Sequence, residues 1–134
     1  IGQIVWSPMA QGVLTGKYLP GKKAPAGSRA TDKGSGANMI KGWMRDEVLE
    51  AVQKLKPIAD QAGVSMSQLA IAWVLQNPNV SSAIMGATKP SQVKENVKAS
   101  GVKLDADTMK AIDKALGKLP ERDPKKNESP KPRA

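Results

Sequence analysis

A chain of 134 residues is long enough to bury one true core, and its composition removes several chemistries at once. With no cysteine and no histidine there is no disulfide framework, no thiolate nucleophile, no zinc–thiolate site and no imidazole to carry protons near neutrality. The 21 Lys and Arg against 12 Asp and Glu leave a formal charge of +9, yet these cations are interleaved with acids and accompanied by only three Trp and one Tyr, so solvated faces are a better reading than a nucleic-acid surface.

No window approaches the ~18 apolar residues of a membrane span, and no basic start followed by an apolar core resembles a signal peptide. The expectation is a soluble, cytoplasmic protein with neither a membrane nor a nucleic-acid partner. Any metal site would rest on carboxylates alone, and these are scattered along the chain.

Residues Ile1 to Ser7 are rich in β-formers and read as a buried strand ending at Ser7-Pro8, where proline stops a ladder. The strand begins at once, without an initiator Met, which suggests a truncated start. From Met9 to about Met44 no period persists and Gly, Pro, Ser, Lys and Asp dominate; a loop this long is usually a functional lid or a linker.

From Asp46 onward Val48, Val52, Leu55, Ala59 and Ala62 recur at helical spacing, with Gly63 as the stop and Pro57 expected to kink or split the helix. Ser65 and Gln68 have capping-box spacing, and the run from Leu69 to Leu75 is apolar nearly all round, so its helix is buried on more than one side. Asn77-Pro78-Asn79 makes a turn, and Ser82 to Met85 is a short strand running into Gly86. Pro90 opens the next helix, with Val93 and Val97 as its stripe and Gly101 as its stop. Asp105 or Asp107 caps a last helix whose stripe is Met109, Ile112 and Leu116. The expected division is a folded part over 1–118 and a disordered basic tail over 119–134, too rich in Pro, Lys and Glu to offset its ordering entropy.

Strands separated by helices point to parallel β/α units. Two strands do not by themselves make a stable sheet covered on both faces, so the remainder of the sheet is expected upstream of Ile1.

Two stretches then become recognisable. Trp6-Ser7-Pro8-Met9-Ala10-Gln11-Gly12-Val13-Leu14-Thr15-Gly16-Lys17-Tyr18 resembles the segment after the seventh strand of aldo-keto reductases. Gly86-Ala87-Thr88-Lys89-Pro90-Ser91-Gln92-Val93-Lys94-Glu95-Asn96 resembles the segment after the eighth, and Val64 through Gln76 is similar to the helix between them. The likeness runs from Ile1 to Leu116 and is nearest the branch that includes potassium-channel β subunits and bacterial general-stress or sugar-type reductases.

The resemblance implies an α/β fold, the C-terminal portion (last two β/α units) of a TIM (β/α)8 barrel, with NADPH or NADP extended across the C-terminal face. It implies that Trp6 stacks on the nicotinamide and that Ser7, Pro8, Met9, Ala10 and Gly12 line its ribose and the pyrophosphate. Lys17 and Arg29 match loop positions approaching the phosphates; Gly86, Thr88 and Lys89 match the turn around the 2′-phosphate; Gln92, Glu95 and Asn96 match contacts to the adenosine end. Each assignment has a physical reason: an indole offers a stacking face, glycine lets backbone approach a phosphate, the N–H groups opening the helix near Pro90 and Ser91 make an anion site, and carboxylate and amide groups read an adenine edge.

Taken singly, the same residues have plainer readings: Trp6 as core at a strand end, Lys17 and Arg29 as solvated loop charges, and Glu95 with Lys94 or Lys98 as a surface pair. Trp73 stays with the core. The family's catalytic Asp, Tyr, Lys and His match no position here, and Tyr18 belongs to the cofactor-loop motif. The implied activity of the intact protein is reduction of a carbonyl substrate, an aldehyde or ketone, to an alcohol. The alternatives are an NADP(H)-binding regulatory subunit of channel-β type or an inactive fragment, with oligomerisation left open.

Overall fold

The structure, a computed structural model, describes residues 2–126. Its first strand, β1 (Gln3–Trp6), stops where Ser7 turns left-handed (φ 54°) ahead of Pro8, which has no N–H for a ladder. The expected long loop follows, with short helical turns at Ala10–Thr15, Arg29–Thr31 and Lys41–Trp43 and a helix α1 (Gly36–Ile40). These pieces are too short to leave a period in the sequence. They form because Val13, Tyr18 and Ile40 are buried together against Leu49 and Val52.

The expected helix from Asp46 is split in two, α2 (Asp46–Gln53) and α3 (Lys56–Gln61). The break falls where Pro57 dictates: its ring opposes the carbonyl four residues earlier, that of Gln53, at which α2 ends. Gly63 stops α3 in the left-handed conformation (φ 69°). Helix α4 (Met66–Leu75) opens with the capping box read from the sequence: Ser65 Oγ accepts the Gln68 N–H at 3.2 Å and Gln68 Oε1 accepts the Ser65 N–H at 3.0 Å.

β2 (Val80–Ile84) lies parallel to β1, in a register that pairs Trp6 with Ile84. α5 (Pro90–Asn96) continues into a 3-10 turn at Val97–Ala99. α6 (Ala106–Leu116) is capped by Asp105, whose Oδ1 accepts the Thr108 N–H at 2.7 Å.

The all-round apolar character of α4 is explained by its neighbours, since it packs against β2, α3, α5 and the Ala10–Thr15 turn. Leu69 and Ala72 join Leu55, Ala59, Leu104 and Ile112 in one core, with Trp73, Met109 and Leu116 against it. The Trp73 indole N–H is buried there without a hydrogen-bond partner among the described residues.

The α5 stripe turns out differently from its spacing. Within this chain Val93 and Val97 are 49% and 58% exposed, while Asn96 and, in the turn that follows, Ala99 are buried. In the stretch expected to be disordered, Arg122 pairs with Asp113 at 2.6 Å and Lys126 with Glu121 at 3.1 Å. Residues 127–134 lie outside the described part.

Candidate functional site

Parallel pairing brings the C-terminal ends of β1 and β2 together, so the segments beginning at Ser7 and Met85 leave the sheet side by side. Trp6, at the end of β1, is 69% exposed. Within this chain the Trp6 indole is uncovered at the strand end, as are Ile4 and Ile84 on the same sheet.

After Trp6 the backbone is strained. Ser7, Ala10 and Gln11 all have positive φ (54°, 46°, 58°), followed by Gly12 at 97°. Each non-glycine residue in that region costs about 1–2 kcal/mol, and such strain gathers at ligand clamps. Hydrogen bonds hold it: the Ala10 N–H to Ser7 O (2.9 Å), the Gly12 N–H to Met9 O (2.9 Å), the Gln11 side-chain amide to Ser7 Oγ, and Thr15 Oγ1 to Gly12 O (2.7 Å). Lys17 stands over the Tyr18 ring, its Nζ 5.3 Å from the centroid, and the same Nζ lies 3.5 Å from where a Gly12 Cβ would be. One cation of the expected set is thus placed against the turn.

The second loop closes on itself. Gln92 Oε1 accepts the Thr88 N–H at 2.7 Å, the Thr88 hydroxyl at 3.2 Å and the Lys89 N–H at 3.3 Å. Pro90 has no N–H, and the Lys89 N–H is already given to Gln92. Gly86, with open space where a Cβ would be, gives close access to the backbone.

At the far end of α5 the Glu95 carboxylate is held from two sides. Oε1 accepts from Gln68 Nε2 at 2.9 Å, and Oε2 pairs with Lys98 Nζ at 3.1 Å. Asn96 beside it is buried.

Arg29 stays on its own loop: Nη1 is 3.8 Å from Met39 Sδ. Nearby, Asp32 accepts the N–H groups of Gly34 (3.1 Å) and Gly36 (3.0 Å). Those two bonds, with a smaller contribution from Arg29, hold its carboxyl below the usual range.

Tyr18 is buried, and its hydroxyl accepts the Ala30 N–H at 3.4 Å, a structural role in keeping with its place in the motif. Gln53, unremarkable in the sequence, ties the loop to α2 by donating to the carbonyls of Gly16 and Tyr18, both at 3.1 Å. Gln68 was visible as a cap; its second use, on Glu95, was not, because it spans 27 residues.

A cavity of about 370 Å³ lies among Val13, Val52, Met66, Leu69, Trp73 and Ile112. Of the expected cofactor residues only Ala10 lines it. Among the described residues no cluster of acids could hold a metal ion.

Parallel β/α units with polar and glycine residues following the C-terminal strand ends are the arrangement of the ligand face of a β/α barrel. The chain belongs to the aldo/keto reductase family, whose model matches residues 1–116.

It is 52% identical over 102 residues, 76% of this chain and 30% of the relative, to an Arabidopsis thaliana protein described as a "probable voltage-gated potassium channel subunit beta". An Oryza sativa subsp. japonica protein of the same description is 46% identical over 129 residues, 96% of this chain and 38% of the relative. Among solved structures, the glycerol dehydrogenase of Gluconobacter oxydans superposes with a TM-score of 0.64 at 25% identity, over 90% of this chain and 36% of that one. The chain thus spans about a third of the length of the relatives it matches, and its fold is the C-terminal portion of their barrel.

Proposed function

We propose that the protein is an NADP(H)-dependent oxidoreductase that reduces aldehydes or ketones to alcohols, this chain supplying the cofactor-binding elements over residues 1–118. The observation that carries the reading is the register of the two strands, which ends them together at Trp6 and Ile84 and so joins both loops at one edge.

The residues fit a dinucleotide phosphate. Trp6 offers an exposed flat face for the nicotinamide, while Ser7, Pro8, Met9, Ala10 and Gly12 form the turn for its ribose and pyrophosphate. Lys17 and Arg29 supply charge for the phosphates. Gly86, Thr88 and Lys89 take the 2′-phosphate, Lys89 as a point charge; Gln92, Glu95 and Asn96 take the adenosine. When bound, the nicotinamide supplies a hydride for a carbonyl carbon. Tyr18 has its hydroxyl turned inward to Ala30 and takes no part in proton transfer.

The test is titration of the protein as encoded with NADPH and NADH, followed by NADPH consumption against a panel of aldehydes and ketones. Tight NADPH binding with turnover is expected; absence of dinucleotide binding would overturn the reading. Lys89→Ala is expected to weaken NADPH roughly tenfold and NADH little, and an equal loss for both would remove the 2′-phosphate assignment.

A second reading, an NADP(H)-binding regulatory subunit of channel-β type without significant turnover, is favoured by the descriptions of the plant relatives. Binding without turnover across the panel selects it. Action in the cytoplasm goes with either reading; among the described residues no helix is long and apolar enough to cross a membrane.

A further inference from the structure

We propose that Gln68 is a positioning residue for the dinucleotide site, holding Glu95 from helix α4; the proposal rests on the NADP(H) reading above. Gln68 is 7% exposed, and its amide is divided between two tasks. The oxygen closes the capping box by accepting the Ser65 N–H. The nitrogen has two hydrogens left, and both go to Glu95: one to the backbone carbonyl at 3.0 Å, one to Oε1 at 2.9 Å.

The other holder of Glu95 is weak. Lys98 pairs with Oε2, but the two side chains are 66% and 45% exposed, and such pairs are screened and cost side-chain entropy. Within this chain Val93 and Val97 are half-exposed, and the buried tie between α4 and the end of α5 is this fully used amide: it meets the last turn of α5 through the carbonyl and directs the carboxylate through Oε1. Replacing it by an apolar side chain leaves both oxygens without their donor. Gln68 itself touches no cofactor in this reading; it acts through Glu95.

Gln68→Glu separates the two tasks. A carboxylate still accepts the Ser65 N–H, so the cap survives, but it has no hydrogen for Glu95 and sets a like charge against it. In the protein as encoded, the NADP⁺ dissociation constant at pH 8 is expected to rise roughly tenfold. Glu95→Ala should weaken NADP⁺ by a similar factor, and adding Gln68→Glu to it should change the constant by less than about twofold. Ser65→Ala, which removes only the other half of the cap, should lower the unfolding midpoint and leave the constant unchanged. Gln68→Met, nearly equal in volume, supplies the same comparison if the glutamate variant does not fold.

If Glu95→Ala weakens NADP⁺ while neither Gln68 variant does, or if Gln68→Glu costs as much without Glu95 as with it, the positioning role is overturned and the cofactor reading stands. If the parent binds NADP⁺ but Glu95→Ala leaves the constant unchanged, the adenosine assignment and this proposal fall together. If the parent binds no NADP⁺, the function reading itself fails.

Discussion

At Gly12 a single φ of 97° meets a turn already carrying three left-handed non-glycine residues. A Cβ there would make ordinary contact with the Lys17 side chain, at 3.5 Å, so the penalty of Gly12→Ala is conformational. It is expected to destabilise the protein by about 1–2 kcal/mol, read as a lower urea midpoint with an unchanged slope. A neutral result would show that the turn relaxes.

The titration behaviour rests on three carboxylates held below their ordinary values mainly by backbone N–H donors: Gly34 then Gly36 for Asp32, Thr108 for Asp105, and Asp123 for Glu121. A depressed carboxylate is harder to protonate folded than unfolded, so its contribution is complete above the unfolded range and is lost as the pH falls below ~4. With no His and no Cys, the urea midpoint should be nearly flat from pH 6 to ~8 and drop on acidification. A midpoint that rises below pH ~4 would contradict these assignments.

Among the helices, α4 carries the most. Its Leu69 is buried in the core shared with α3 and α6, so Leu69→Ala should cost about 2–5 kcal/mol. The loss should fall near the lower end if the adjoining 370 Å³ cavity lets neighbours move inward. Thermal unfolding of the two proteins measures it, and a change below ~1 kcal/mol would place Leu69 outside the cooperative core. Helix α5 makes the contrast: the Val93–Val97 spacing was legible as an amphipathic stripe, yet within this chain Asn96 is the buried residue of α5. Periodicity identifies that a helix exists; the tie of its last turn to α4 is a hydrogen bond from Gln68 to Glu95.

Among the described residues the sheet has two strands, and Ile4, Trp6 and Ile84 on it are exposed. An apolar parallel pair with open edges is a template for association. Residues 1–134 produced alone should therefore self-associate with rising concentration in sedimentation velocity. Placing Lys at both Ile4 and Ile84 should reduce that association. The same 134 residues should show only background carbonyl-dependent NADPH oxidation. Monodisperse behaviour at high concentration, or turnover, would contradict these expectations.

The succession of the two strands and the later helices, a break of helix regularity at Pro57 (read as a bend, found as two helices), the capping box at Ser65 and Gln68 and the likeness to the aldo-keto reductases were legible in the chain, because each rests on local chemistry or on a motif contiguous in sequence. The loop after β1 was legible only as a loop, since its short turns are held by burial of Val13, Tyr18 and Ile40 and not by their own periodicity. The candidate site was legible as two lists of residues. Their meeting at one edge came from the strand register, and the links Gln53–Tyr18 and Gln68–Glu95 from hydrogen bonds that span 35 and 27 residues. A side-chain amide gives no sign in sequence of which distant partner it will find; only packing chooses among them.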